Sequence, residues 1–163
     1  MSGGVALIRP ARPEESGIIV SLVRRLAAFE RAAAPPALTE AVVRRDCFGP
    51  NPRFQVLLAE TAGRVCGGVV LLDGYSSWAG APTLTVHDLY VEEGGRGQGA
   101  GRALLAAAAA QAQARGCARL DVNVLDWNHA ARAFYERAGF TPLSGWLPYR
   151  LQGEALARLA EEG

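Results

Sequence analysis

A glycine-rich loop between a predicted strand and a predicted helix constrains the fold of this chain more than any other feature. The strand is expected over residues 83–92 and the helix over 98–115, and the loop reads Gly94-Gly95-Arg96-Gly97-Gln98-Gly99-Ala100-Gly101. Glycines at alternate positions let a backbone adopt positive φ angles and approach a ligand closely. The first N–H groups of a helix have no partner inside it, and the helix dipole attracts an anion. The unit therefore predicts a cradle for a diphosphate, with Arg96 as a charged donor at its mouth.

Two other phosphate-binding motifs share features with this loop. A P-loop would carry Lys followed by Ser or Thr where Arg102 and Ala103 stand, so that motif is excluded. The dinucleotide fingerprint G-x-G-x-x-A does fit residues 95–100, and Asp126 closes the next predicted strand. A dinucleotide fold repeats its strand–helix–strand unit, and the first half of the chain predicts no second copy. The glycines alone leave this alternative open, although their surroundings disfavour it.

The other predicted elements give a mixed α/β order around one central strand–loop–helix–strand unit. Further strands are expected over 5–9, 54–60, 65–73 and 118–126, with short extended pieces at 140–143 and 147–152. Further helices are expected over 14–31, over a short segment that Thr39 caps, and over 128–138 and 154–161. The segment 61–64 predicts a hairpin turn, and Val122, Val124 and Leu125 indicate a largely buried last strand.

Composition and length bound the class of protein. The 163 residues are expected to form a single domain over 1–163, and half of them are apolar while a fifth are charged, as in soluble globular proteins. A net charge of +1 offers no field for nucleic acid, and no apolar run is long enough for a membrane span. Residues 1–4 lack the features of a signal peptide. The three cysteines match no metal pattern, so a cytoplasmic, metal-free protein is expected.

Two motifs resemble those of a known superfamily. Arg96-Gly97-Gln98-Gly99-Ala100-Gly101 resembles the R/Q-x-x-G-x-G/A acyl-CoA loop of the GNAT acetyltransferases, and residues 128–140 resemble their N-x-x-A-x-x-F/L-Y-x-x-x-G-F segment. Other segments resemble the diamine (spermidine/spermine) branch and its thialysine-acetylating relatives, namely 8–11, 26–30, 38–40, 75–78, 88–91, 124–128, 145–146 and 152–156. The resemblance covers nearly the whole chain. It implies a GNAT fold with a mostly antiparallel, splayed sheet, acetyl-CoA as donor, a primary amine as acceptor, and a homodimer.

The resemblance also implies roles for residues at the donor site. The acyl-CoA contacts fall on Leu89, Tyr90, Val91, Arg96, Gly97, Gln98, Gly99, Ala100, Gly101, Arg102, Asn128 and Tyr135. In GNAT relatives the matching Asn bonds the pantetheine arm, and the matching Tyr hydroxyl lies beside the thioester sulfur. Asn128, Ala131 and Tyr135 share one helix face, and a phenol is well matched to a thiolate as its general acid. Tyr135 is therefore the predicted catalytic acid; the alternative is a core aromatic residue.

His87 and Asp88 are the predicted catalytic groups on the amine side. They stand where polyamine-acetylating relatives carry Glu-Asp before the acyl-CoA loop. Neighbouring side chains of a regular strand face opposite sides, so both reach one site only across a β-bulge. Histidine is mostly neutral at pH 7 and can accept a proton. His87 is then a base acting with Asp88, directly or through water; the alternative is a structural histidine.

The acceptor site is expected to differ from that of a spermine acetyltransferase. The predicted substrate-binding residues are Phe29, Glu30, Trp78, His87, Asp88 and Trp127, whereas Asp126 is taken as structural. Carboxylates of the polyamine-acetylating relatives are replaced here by residues 32–34, Ser76 and Ser144. A tetracation would lose several charge-assisted contacts. A short diamine or a lysine-, ornithine- or thialysine-like amino acid is therefore predicted.

Two competing functions remain at this point. A catalytically silent acyl-CoA-binding or sensor module would keep the loop at 96–101 but would need neither Tyr135 nor Asp88. A nicotinamide- or flavin-dependent enzyme would use the same loop for a dinucleotide. The presence of both Tyr135 and Asp88 favours the amine acetyltransferase.

Overall fold

The computed structural model describes residues 6–163, which divide into two compact units, residues 6–127 and 128–163. Val5, which the sequence places in the first strand, lies outside the described residues. The first unit contains β1 (Leu7–Pro10), α1 (Ser16–Phe29), α2 (Glu40–Asp46), β2 (Gln55–Thr61), β3 (Arg64–Ser76), β4 (Ala81–Val91), α3 (Ala100–Ala114) and β5 (Leu120–Val122). Single 3₁₀ turns at Pro13–Glu15 and Glu93–Gly95 precede α1 and α3. The second unit contains α4 (His129–Arg137) and α5 (Gly153–Ala160).

The first unit is built on a five-stranded sheet whose strands follow chain order from β1 to β5. β1 to β4 pair antiparallel, and β5 joins β4 in parallel. That last pairing covers only Leu84–Val86 against Leu120–Val122, while β4 continues to Val91. Among the described residues, the far half of β4 therefore has no neighbour on its β5 side. This confirms the mostly antiparallel α/β sheet that splays open at the glycine loop.

The helices of this unit cover the two faces of the sheet. Ile19 and Leu22 of α1 pack with Val56, Leu58 and Val70, which point to one face because side chains alternate along a strand. α3 packs against the same strands and buries its own apolar residues, Leu104 and Leu105 among them. The residues that alternate with Val56, Leu58 and Val70 along these strands, such as Leu57 and Leu71, are also buried and face the other side of the sheet. Burial on both faces holds β2 to β4 rigid beneath the loop.

A partly buried cluster of ion pairs fixes the N-terminal end of α1. Arg9 of β1 bonds the carboxylate of Glu15 at 2.7 Å and that of Glu60 on β2 at 3.0 Å. The guanidinium holds the pKa of Glu15 below its usual range through that hydrogen bond. α1 therefore starts from a defined point on the edge of the sheet.

Several local predictions are confirmed. The β2–β3 hairpin turns at Ala62 and Gly63, which both have positive φ as a two-residue primed turn requires. Thr39 caps α2 by accepting a hydrogen bond from Val42 N at 3.3 Å. Gly116 and Gly139 follow α3 and α4 with φ of 67° and 102°.

The last part of the chain is where strand prediction was wrong. β5 ends at Val122, so Leu125 lies outside it and is exposed rather than buried. Residues 140–143 and 147–152 are not strands. An extended segment becomes a strand only when a neighbour pairs its backbone, and residues 6–163 supply none for these two pieces. Their large side chains are exposed instead, Leu143, Leu147 and Tyr149 included.

Candidate active site

The glycine loop has one face packed on the sheet and one face open. A Cβ atom added to Gly95 would lie 3.3 Å from Cys66 and Val91, so Gly95 packs inward. Gly97 and Gly99 have φ of 77° and 84°, and an added Cβ atom at either would meet nothing within 4 Å. These two glycines therefore satisfy both predicted requirements, a positive φ and room for a close approach.

The start of α3 leaves donors at this open face. The first hydrogen bond of the helix runs from Ala103 N to the Gly99 carbonyl at 2.9 Å, so the N–H groups of Ala100 and Gly101 have no acceptor within the helix. Gln98 braces the loop by donating from Nε2 to the Gly94 carbonyl at 3.0 Å. The arrangement matches an anion site at a helix N-terminus.

Arg96 is held between two aromatic rings. Its guanidinium carbon lies 5.3 Å from the ring centre of Phe29 and 5.6 Å from that of Tyr90. Its Nε donates to the Val91 carbonyl at 2.9 Å, which leaves the donors of the two terminal nitrogens for a ligand. Arg96 therefore connects the glycine loop to the end of α1 as well as to β4. Its predicted contact with a pyrophosphate stays a prediction.

The β-bulge that the site requires is present in β4. Val86 pairs with Leu71 and Asp88 pairs with Val70, so His87 is the extra residue between two successive pairs. Because paired residues share a face, Asp88 takes the face of Val70, towards α1. Without the extra residue Asp88 would face α3. The bulge thus brings Asp88 to the same side as α1, with exposed His87 beside it.

Two carboxylates and one imidazole interact on this face. Asp88 shares a recess with Leu22, Val23 and Leu26 of α1, and burial raises the pKa of Asp88, partly offset by His87. Burial raises the pKa of Glu30 at the end of α1, and the negative charge of Asp88 raises it further while His87 lowers it. Glu30, His87 and Asp88 therefore influence one another electrostatically. Their role in an amine pocket stays a prediction.

The end of α1 lies beside this group. The helix closes with Arg31 N donating to the Ala28 carbonyl at 3.2 Å and Ala32 N to the Ala27 carbonyl at 3.0 Å. Arg31 occupies the left-handed region with φ of 56°, a position that usually carries glycine. Its guanidinium lies 5.0 Å from the ring centre of Trp127, which follows β5. Arg31 was not predicted from sequence, because no local signal connects residues so far apart in the chain.

Other predicted residues lie elsewhere. Trp78 is 95% exposed in the turn between β3 and β4. At about 3.3 Å per residue, the stretch of β4 from Ala81 to Asp88 is about 20 Å long, so Trp78 is remote from Asp88 within one chain. Leu89, Tyr90 and Val91 lie on the unpaired half of β4.

The second unit contains the remaining donor-site candidates. Asn128 caps α4, with its Oδ1 accepting a hydrogen bond from Ala131 N at 3.1 Å. This structural role is separate from the predicted contact with the pantetheine arm. Tyr135 stacks edge-on with Phe134 at 5.2 Å and with Phe140 at 5.4 Å. The predicted acyl-CoA contacts of Asn128 and Tyr135, and the role of Tyr135 as catalytic acid, stay predictions.

The described residues contain no group of His, Cys, Asp and Glu side chains that could hold a metal ion. None of the helices within 6–163 is both long and apolar enough to span a bilayer.

A mostly antiparallel sheet that opens beside a glycine loop is the architecture of the acetyl-CoA-dependent N-acetyltransferases. The chain belongs to the acetyltransferase (GNAT) family, whose model it matches over residues 20–140. It is 37% identical to a mouse thialysine N-epsilon-acetyltransferase, over 94% of this chain and 96% of that protein. It is also 32% identical to human spermidine/spermine N(1)-acetyltransferase-like protein 1, over 95% of this chain and 24% of that protein.

A solved structure supports the fold independently of close sequence similarity. An integron cassette protein from the mobile metagenome of V. cholerae superposes with a TM-score of 0.80 at 21% identity, covering 97% of this chain and 99% of that one. The GNAT fold predicted from the sequence is therefore confirmed. The family match over residues 20–140 confirms the acetyltransferase class. GNAT acetyltransferases use acetyl-CoA as co-substrate.

The open face of the loop predicts a specific effect of Gly99→Ala. The methyl group would strain a backbone with φ of 84°, costing about 1 kcal/mol of stability, and would stand where the ligand approaches. We expect CoA affinity to fall at least about tenfold, as measured by titration calorimetry. Gly116→Ala is the matched control, since φ is 67° and the added Cβ atom also meets nothing within 4 Å. Equal CoA affinity in the two variants would contradict an anion site at this loop.

The raised pKa of Asp88 predicts how stability depends on pH. Because the native state holds the proton above the ordinary value of 3.8, the contribution of Asp88 is present below that pH and is lost as pH rises through the native pKa. Ionised Asp88 thus destabilises the fold at neutral pH. We expect Asp88→Asn to melt higher than wild type at pH 7 and to converge with it towards pH 4. A lower melting temperature at pH 7 would show that the carboxylate is structurally required.

Proposed function

We propose that the protein transfers the acetyl group of acetyl-CoA to a primary amine of a small molecule, by direct attack in a ternary complex. The observation that carries this proposal is the group of Glu30, His87 and Asp88, gathered by the β4 bulge beside the unpaired half of the strand. A pair of carboxylates binds an alkylammonium ion, and an adjacent imidazole can remove its proton. The mouse relative is named for a lysine-like amino acid, which fits this chemistry.

The donor would lie along the open edge of β4. The N–H groups of Ala100 and Gly101, with Arg96, would hold the pyrophosphate, and Gly97 and Gly99 let it approach the backbone. The far half of β4 has no partner strand on its β5 side, so a backbone N–H within 89–91 is available for the thioester oxygen. Asn128 would bond the pantetheine arm through its side-chain amide.

The transfer needs one proton removed and one supplied. An alkylammonium of pKa about 10.4 is about 0.1% neutral at pH 7, so its deprotonation costs roughly 4 kcal/mol. His87 takes that proton, with Asp88 holding the ammonium and then stabilising the imidazolium. The amine nitrogen then attacks the thioester carbon, the carbon–sulfur bond breaks, and the Tyr135 hydroxyl protonates the departing thiolate. The products are the N-acetylated amine and CoA.

The acceptor would carry fewer positive charges than spermine. Two carboxylates of residues 6–127, Glu30 and Asp88, influence each other at this site. Residues 32–34, Ser76 and Ser144 offer no further negative charge. A short diamine or a lysine-, ornithine- or thialysine-like amino acid fits this site better than a tetracation.

A homodimer in a reducing compartment is part of the same proposal. Large apolar side chains of the second unit are exposed, Leu143, Trp146 and Tyr149 by 75%, 74% and 92%, and such patches mark protein contacts. Trp78, remote from Asp88 along its own chain, would contact substrate only in another subunit. Cys47, Cys66 and Cys117 are free thiols, in keeping with a cytoplasmic location.

Replacing the proposed acid tests the function directly. With acetyl-CoA and lysine, ornithine or thialysine, we expect wild type to release CoA, and Tyr135→Phe to lower kcat by about 100-fold or more. CoA affinity should be nearly unchanged, because the ring and its stacking partners remain. Tyr149→Phe, which removes an exposed phenol, should keep full activity.

Two results would contradict this proposal. If wild type binds CoA but releases none with any amine tested, the protein is a silent acyl-CoA-binding module. If spermine gives a higher kcat/KM than the amino acids and short diamines, the assignment of the acceptor is wrong.

The two histidines of the chain provide a paired test of the base. Because the base must be neutral, kcat/KM of wild type should fall at low pH. We expect His87→Gln to lower kcat/KM at neutral pH by about 100-fold and to abolish that acidic limb. His129→Gln, at the start of α4, should keep the wild-type profile. An unchanged acidic limb in His87→Gln would make this histidine structural.

A further inference from the structure

Arg31 occupies a backbone conformation that its residue type disfavours. Within residues 6–163, only Arg31 and Ala62 have positive φ without being glycine. Ala62 is explained by the hairpin turn, where the chain must reverse. At the end of α1 the position calls for glycine, and an arginine there costs on the order of 1 kcal/mol. A strained residue held in place by its surroundings is a candidate for a functional role.

The strained residue carries a guanidinium that is next to Glu30 in the sequence and contacts Trp127. Arg31 directly follows Glu30, and its side chain crosses to Trp127, with 5.0 Å between guanidinium carbon and ring centre. The Arg31–Trp127 contact joins the end of α1 to the segment just after β5. That segment follows the point where β5 stops pairing with β4. This ring contact orients the guanidinium of Arg31, which is an exposed residue.

This guanidinium has not been neutralised by a neighbouring acid. Arg31 forms no ion pair among residues 6–163. Burial and the negative charge of Asp88 raise the pKa of adjacent Glu30, and His87 lowers it. A stacked guanidinium keeps its in-plane N–H donors, which match a carboxylate bidentately.

We propose that Arg31 binds the carboxylate of an amino-acid acceptor, while Glu30 and Asp88 hold its side-chain ammonium. The recess and its rim then match a lysine-like molecule, with a cationic end inside and a carboxylate at the mouth. The same positive charge repels the second ammonium group of a diamine or polyamine. Arg31 is thus the residue that selects amino acids over diamines, a step beyond the proposed amine acetylation on which this inference rests.

Substrate pairs that differ only by the carboxylate test this role. Lysine is compared with 1,5-diaminopentane, and ornithine with 1,4-diaminobutane, by kcat/KM in wild type and in Arg31→Gln. Glutamine keeps the backbone strain and removes the charge. We expect kcat/KM for the two amino acids to fall at least about tenfold, the effect of losing one charge-assisted contact. The loss should appear mainly in KM, because the contact is remote from the reacting atoms. Diamine kcat/KM should be unchanged or higher.

Two further variants make the result decisive. Arg31→Gly removes the guanidinium while relieving the strain, so it should fold at least as well as wild type and show the same loss of selectivity. Arg44→Gln makes the same change of charge on α2, where Arg44 pairs with Glu40 of the same helix. It should leave the ratio of kcat/KM for each amino acid to that for its diamine at the wild-type value.

The outcomes separate this inference from the function it rests on. If wild type acetylates neither member of either pair, the amine acetylation itself fails. If wild type is active and Arg31→Gln lowers kcat/KM equally for the amino acids and for the diamines, Arg31 only supports the fold of the recess. Unchanged selectivity in both Arg31 variants would likewise overturn the role of Arg31 as carboxylate ligand.

Discussion

The single extra residue in β4 is the constraint on which the rest of the site depends. By inserting His87 between two successive pairs, the bulge moves Asp88 and Tyr90 to the face that α1 covers. On the other face Asp88 would point at the packed side of α3, where a carboxylate would have neither solvent nor a partner. The same change allows Tyr90 to reach Arg96. One local irregularity therefore determines which side of the sheet carries charge and which side carries only packing.

The end of α1 connects the parts that a transferase must bring together. Phe29 packs against Arg96 of the glycine loop, Glu30 faces Asp88, and Arg31 lies over Trp127. These contacts join the helix to both sides of the gap that opens when β5 ends. They are stacking and charge interactions at a rim, rather than core packing, so they can differ between relatives without changing the fold.

The two buried carboxylates lower the stability of the folded protein when they are ionised. Burial raises the pKa of both Asp88 and Glu30, so each ionised carboxylate is held at a cost to folding that a bound ammonium would offset. The backbone strain at Arg31 is of the same kind. The packing on both faces of the sheet and the Arg9 ion pairs stabilise this unit and offset the destabilising effects.

The sequence by itself determined most of the elements before the end of β5 and the open glycine loop, because these depend on neighbours along the chain. Periodicity indicated α1 and α3, glycine spacing indicated a loop open to a ligand, and a Glu-Asp-like pair in a strand indicated a bulge. The sequence failed after β5, where strands at 140–143 and 147–152 were expected, because extended pieces need a partner that periodicity does not supply. Only the tertiary structure could place Arg31 on Trp127 and Arg96 between Phe29 and Tyr90. Those contacts join residues that are distant in sequence, and their geometry is set by where whole elements pack.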